Sequence, residues 1–168
     1  MGSPYHHYII ADDWIIPEDH EIYYSELVLR LPCYQPNDRQ RVVSPRQSSR
    51  QEVMLPHNEV VYCCFNGIHK ITRYTFERWL KILSRVPGSV LWLLSSTEAV
   101  HERLRRFAAQ QGIAASRLIF ADKLINSDHL ARLTLADLFL DTTPYGAHTT
   151  ASGSLPAGTR ARYSIRQL

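Results

Sequence analysis

The stretch from Asp141 to Thr150, DTTPYGAHTT, gathers groups able to hold an anion. An apolar run, Leu138-Phe139-Leu140, leads into it, Pro144 and Gly146 signal a turn, and His148, Thr149 and Thr150 supply an imidazole and two hydroxyls where a helix can open. A strand, a turn and a helix N-terminus in that order point free backbone N–H groups and the positive end of a helix dipole at one spot. The chemistry expected there is the cradling of a diphosphate. A plain N-cap without a ligand would use the same residues.

Three further residue groups could serve that anion. Lys70 follows an apolar strand-like run and can neutralise a diphosphate as a point charge, stabilising it as a leaving group, or can be a solvated surface lysine. His69 beside it is a ligand contact or a polar loop residue. His129 and Arg132 are three apart and share a helical face, where Arg132 could stack on a base or grip an oxygen and His129 could bond a phosphate or ribose. As a bland alternative they form a helix-surface pair.

The elements that must position these groups alternate regularly. Glu59 to Phe65 is β-branched and aromatic and stops at Asn66-Gly67, and Thr72 to Val86 carries Tyr74, Phe76, Trp79, Leu80, Leu83 and Val86 near a 3.6-residue period, which predicts an amphipathic helix. The unit repeats. Ser89 to Leu94 is a strand apolar on both faces, Ser95 and Glu98 have capping-box spacing before a helix ending at Gly112, and Arg117 to Ala121, Ser127 to Leu133 and Ala136 to Thr142 read as strand, helix and strand. Upstream, Tyr8 to Ala11 and Glu26 to Leu31 are short β-like runs around a helix start at Pro17-Glu18-Asp19, and Tyr34 to Pro56 reads as an exposed polar connector.

This alternation predicts an α/β fold, a Rossmann-like parallel sheet with flanking helices. Ligands of such sheets sit beyond the carboxyl ends of the strands, where the loops Asn66 to Lys70, Ala121 to His129 and Thr142 to Thr150 lie. No GxGxxG or Walker A pattern occurs in them, which weighs against standard NAD or ATP sites.

Composition narrows the class. The chain of 168 residues, 45% hydrophobic and 21% charged, fits a folded domain with a core, and no apolar run approaches the roughly 20 residues that span a bilayer. With no signal-peptide pattern, a cytoplasmic location and no membrane partner are expected. Cys33, Cys63 and Cys64 lack zinc spacing, so no metal is expected, and neighbours in a strand place Cys63 and Cys64 on opposite buried faces. The net charge of +3 comes from Arg160, Arg162 and Arg166 in the tail, which is no pattern for nucleic-acid binding.

Three segments carry a family resemblance: CCFNGIHKIT, VPGSVLWLL and HLARLTLADLFLDTTPYGAHTTAS are similar to the C-terminal catalytic lobe of the O-linked N-acetylglucosamine transferases, the family that includes the plant SPINDLY proteins. YIIADDWIIPEDHEIYYSE and LPCYQPNDRQR resemble the segment preceding that lobe in bacterial members. The resemblance implies a two-lobed glycosyltransferase B architecture behind tetratricopeptide repeats, and inverting transfer of a sugar to Ser or Thr of proteins with no required metal or other cofactor. It implies a UDP-sugar donor such as UDP-GlcNAc, or GDP-fucose as in SPINDLY-type members. Carried over by residue, it makes Lys70 the diphosphate-stabilising lysine, His129 and Arg132 nucleotide contacts, and His148, Thr149 and Thr150 the diphosphate cradle.

The same comparison marks departures. Gly67 stands where the family usually has Gln or Asn, His69 where it has Tyr, Asn126 where animal members have a donor-side Lys, and Gly153 where an Asp bonds the ribose. After Ser152 the resemblance fades into SGSLPAGTRARYSIRQL. The expected organisation is a preceding segment, 1–56, a partial nucleotide-sugar-binding lobe, 57–152, and a divergent basic tail, 153–168. The N-terminal lobe and the repeats are missing from it. A truncated or frame-disrupted end, inactive alone, is expected, and a non-catalytic interaction fragment is the reading of another class.

Overall fold

A computed structural model of the chain describes residues 2, 4–34, 41–46 and 48–147. The chain divides into two compact units, residues 1–40 and 41–168.

In the first unit, β1 (Tyr8–Ala11) pairs in parallel with β2 (Leu27–Arg30), with Tyr8 opposite Leu27 and Ile10 opposite Leu29. The connection holds a 3-10 turn, Glu18–Tyr23, where Pro17-Glu18-Asp19 predicts a helix start. Asp12 organises the exit from β1. Its carboxylate accepts hydrogen bonds from the backbone N–H groups of Trp14, Ile15 and Tyr34 at 3.1, 2.9 and 2.8 Å. These bonds hold its pKa below the usual carboxylate value.

In the second unit four parallel strands lie in the order β5-β4-β3-β6, where β3 is Val61–Cys64, β4 Val90–Leu94, β5 Leu118–Ala121 and β6 Leu138–Phe139. Helices cover both faces. Helices α1 (Arg73–Arg85) and α2 (Glu98–Gln110) supply Phe76, Trp79, Leu80, Leu83 and Ala108 to one layer, with Cys64, Leu91 and Leu93 from the sheet. The short α3 (Asn126–Arg132) and the residues after it supply Leu130, Leu133 and Ala136 to the other, against Cys63, Trp92 and Phe139. Cys63 and Cys64 are thus buried in opposite layers, as strand alternation requires.

Local chemistry sets the helix ends. Thr72 caps α1, its side chain accepting from the N–H of Thr75, and Arg117 closes the other end by donating to the carbonyls of Leu83 and Val86 at 2.8 and 2.9 Å. Tyr74, expected on the buried face of α1, is exposed beneath the Arg78 guanidinium, and Thr75 takes its place inside. The expected capping box at Ser95 and Glu98 does not form. Ser95 still belongs to the sheet, donating its N–H to the carbonyl of Ala121 at 2.8 Å, so α2 starts later, with Thr97 as its N-cap. After α2, Gly112 adopts φ +76°, the left-handed turn that ends a helix without Cβ strain.

Arg50 ties the connector to this unit. Its guanidinium donates to the carbonyls of Leu135, His57 and Glu59 and to Asp137, whose carboxylate also accepts the N–H of Val61 at the start of β3.

Candidate functional site

In a parallel sheet all strands deliver their carboxyl ends to one rim, so the residues after β3, β5 and β6 meet there. After β3 the chain passes Phe65, Asn66 and Gly67 into a 3-10 turn, Ile68–Lys70, closed by the Lys70 N–H on the carbonyl of Gly67 at 2.9 Å. Lys70 turns its ammonium over the ring of Tyr145, 4.3 Å from the centroid. Two loops far apart in sequence are brought together by that contact. His69 is exposed beside it, and its imidazole lies over Gly67, where an added Cβ would stand 2.6 Å from the ring.

The turn that carries Tyr145 is built around one carboxylate. Oδ1 of Asp141 accepts hydrogen bonds from Asn66 Nδ2 at 3.1 Å, from the N–H of Thr142 at 2.7 Å and from the N–H of Ala147 at 2.8 Å. Gly146 permits the backbone to close over that group, since a Cβ there would sit 3.0 Å from Asp141 Oδ2. Asn66 Nδ2 also donates to the Thr142 hydroxyl at 2.9 Å, and that hydroxyl donates to the carbonyl of Tyr145 at 2.6 Å. From α1, the Thr75 hydroxyl donates to the carbonyl of Thr143 at 2.8 Å. The turn is therefore fixed from both β3 and α1. Asn66 Oδ1 is buried without a partner among the described residues. A groove of about 340 Å³ flanks the turn on the α1 side, lined by Tyr74, Arg78, Lys81, Leu140, Asp141 and Thr143. Lys70 is not part of it.

On the α3 side, His129 and Arg132 do share a face and bind each other. The guanidinium donates to His129 Nδ1 from Nε at 3.1 Å and from Nη2 at 2.8 Å, and Nη1 donates to the carbonyl of Asp122. Arg132 is 4% exposed and faces inward, its guanidinium 4.5 Å from the centroid of Phe65 and 5.9 Å from that of Trp92. His129 is half-buried, edge-on to Phe65 at 5.3 Å. Burial, and then the neighbouring Arg132 charge, push the imidazole pKa down to about 4. His129 is thus neutral near pH 7.

The predicted residues therefore fall into two groups, Lys70 with the Asp141 to Ala147 turn and His129 with Arg132, joined through Phe65-Asn66 at the end of β3. His148, Thr149 and Thr150 lie outside the described residues, as does Gly153. The sequence reading does not single out Asn66, Asp141 or Tyr145 individually, because their importance comes from contacts 75 or more residues apart along the chain. Cys63 and Cys64 have no accessible chemistry: burial raises both thiol pKa values, that of Cys64 to about 12. Among the described residues no group of three or more His, Cys, Asp or Glu could hold a metal, and no helix is long and apolar enough to cross a membrane.

Comparison with known proteins gives the family and the fold. The model of Glycosyl transferase family 41 matches residues 37–162, most of the chain and past Ser152, where the resemblance read from motifs fades. The chain belongs to glycosyl transferase family 41. Among curated relatives of this family 41 chain, the probable UDP-N-acetylglucosamine–peptide N-acetylglucosaminyltransferase SEC of Arabidopsis thaliana is 37% identical over 94% of the chain and 17% of its own length. The corresponding transferase of Caenorhabditis elegans is 38% identical over 67% of the chain and 10% of its own length, and the probable SPINDLY transferase of Petunia hybrida 31% over 94% and 17%. The family 41 chain thus spans less than a fifth of these relatives. A solved lysine-to-methionine mutant of the Thermobaculum terrenum O-GlcNAc transferase superposes with a TM-score of 0.74 at 26% identity, covering 92% of this chain and 29% of that one. The parallel sheet with helices on both faces is accordingly a Rossmann-like partial lobe of the glycosyltransferase B architecture.

Proposed function

We propose that the carboxyl rim of this family 41 chain binds the nucleotide diphosphate of a UDP-sugar, UDP-GlcNAc foremost, within a protein that transfers the sugar to Ser or Thr of an acceptor protein. The observation that carries this reading is the position of Lys70. It stands at the end of a central strand of the sheet, on a turn of its own and against the turn after β6, in a chain whose relatives are named for UDP-N-acetylglucosamine transfer.

In such a transfer the acceptor hydroxyl oxygen bonds to the anomeric carbon as the bond from that carbon to the diphosphate oxygen breaks, the electron pair leaves with the diphosphate, and the hydroxyl proton passes to a diphosphate oxygen. The Lys70 ammonium would meet the charge that builds there, where an aimed cation does most to lower a barrier. His129, neutral, would contact the nucleotide, and His148, Thr149 and Thr150 would cradle the phosphates. Residues 57–152 would then form the nucleotide-sugar-binding lobe. Acceptor, N-terminal lobe and tetratricopeptide repeats belong to the same proposal for the whole protein. What this chain alone can be asked to do is bind donor.

Calorimetric titration with UDP and GDP tests this. Saturable UDP binding is expected, weakened in Lys70→Ala by about tenfold to a hundredfold, the loss of one hydrogen bond to a charged group at about 1.5–3 kcal/mol. Preference for GDP would move the donor to the fucose branch, and binding of neither would withdraw the reading.

A further inference from the structure

Arg132 is a buried cation that, among the described residues, forms no ion pair with a carboxylate, and two of its three nitrogens spend their hydrogens on a single atom, His129 Nδ1. A guanidinium has N–H donors and no acceptor, and it does not give up its proton in a protein. The only hydrogen bond it can make to Nδ1 is to a lone pair. A proton on Nδ1 would set donor against donor at 2.8 Å, and in the doubly protonated ring cation against cation as well. The ring proton must therefore sit on Nε2, at the other side of the imidazole, where no described residue accepts it.

We propose that Arg132 is a positioning residue that locks His129 in the neutral tautomer with its proton on Nε2, so that His129 offers the nucleotide a hydrogen-bond donor and neither a cation nor a base. This reassigns the pair. Arg132 acts through His129, held in place by Phe65, Trp92 and the Asp122 carbonyl, and His129 is the member that reaches a ligand. A fixed N–H selects an oxygen acceptor, such as a phosphate, a ribose oxygen or a base carbonyl. It rejects a group that must itself donate.

The surroundings leave the lock to Arg132. The uncharged Phe65 ring faces the imidazole from β3, and neither Asp122 nor Asp128, the acids nearest in sequence, pairs with it among the described interactions. The depressed imidazole pKa agrees with this geometry: burial lowers it most, and the facing guanidinium lowers it further.

The ligand half of this inference rests on the donor-binding proposal, and the tautomer half does not, so they are read separately. Long-range proton–nitrogen correlation spectra of the isotope-labelled chain, recorded from about pH 5 to about pH 8, should show His129 with Nε2 protonated and Nδ1 accepting throughout, below its ordinary titration range as well as above. Arg132→Met should raise the imidazole pKa part of the way toward the ordinary histidine value, burial still holding it down, and mix the tautomers. If that variant does not fold, the wild-type spectrum decides alone. A wild-type ring protonated on Nδ1, or one that titrates between pH 6 and 7, overturns the lock.

For the ligand half, UDP affinity should fall on the order of tenfold in His129→Leu and by much less in His129→Gln, whose amide keeps a donor. Equal losses in both variants would overturn the donor role. The locked tautomer in a chain that binds no UDP would support the lock and remove the functional proposal instead.

Discussion

Two parallel sheets in one chain differ in what covers them. In the second unit β3 is buried along its whole length, with Cys63 packed under α3 and Cys64 under α1 and α2. In the first unit Tyr8, Ile10, Leu27 and Leu29 share one face of the β1-β2 pair and stay 58%, 52%, 66% and 47% exposed. Parallel sheets are stable when both faces are covered. The contrast teaches that similar strand sequences contribute very differently according to what lies over them. Apolar side chains in the four-stranded sheet hold the fold, and those on the two-stranded sheet remain available for contact.

Substitution separates the two sheets most sharply. Trp92→Ala in β4 should cost about 3–5 kcal/mol, because it removes a fully buried indole between Phe65 and the α3 layer. Leu27→Ala on the exposed face should change stability by about 0.5 kcal/mol or less. Denaturant unfolding of both variants measures this, and equal midpoints would break the comparison.

A smaller loss is expected within the second unit at Asn66, whose amide joins β3 to the turn after β6. Asn66→Leu removes two donations, to Asp141 and to Thr142, and should cost about 1–3 kcal/mol. It should also weaken UDP binding, since the turn holding Tyr145 beside Lys70 loses its anchor. Unfolding midpoint and calorimetry together check both effects.

Effects of pH fall in different windows for the two units. His129 has a folded pKa of about 4 against an ordinary 6.5, so the unfolded chain binds the extra proton between those values. The stability from its burial is present above about pH 6.5 and is lost as pH falls toward 4. Asp12 also has a lowered folded pKa, but from 3.8, so its contribution is whole above that value and is lost only below it. Unfolding free energies measured from pH 7 to pH 3 should decline first through His129, and His129→Gln should remove the upper step.

Much of this architecture was legible from residue types. Continuous apolar runs gave away β3 to β5, and the 3.6-residue spacing located α1 within a residue at each end, because both patterns record burial directly. Tyr74 misled because an aromatic beside Arg78 can cover a cation at the surface as readily as fill a core. Ser95 misled because sheet pairing with Ala121 competed for it and won over capping. At the rim, Lys70 and the His129–Arg132 spacing could be read from sequence. That Arg132 faces inward, and that Asn66 grips Asp141, depends on how β3, α3 and β6 meet, which no local pattern records.

The adjacent cysteines of β3 have a practical consequence. Sealed in opposite layers and unreactive while folded, they are two thiol reporters one residue apart, each silent until its own side of the sheet opens. Exposed Cys33 supplies the internal reference for full reactivity. Mass-resolved alkylation under mild denaturant would thus time the departure of α3 against that of α1 and α2, letting the native chain record which side of its sheet comes undone first.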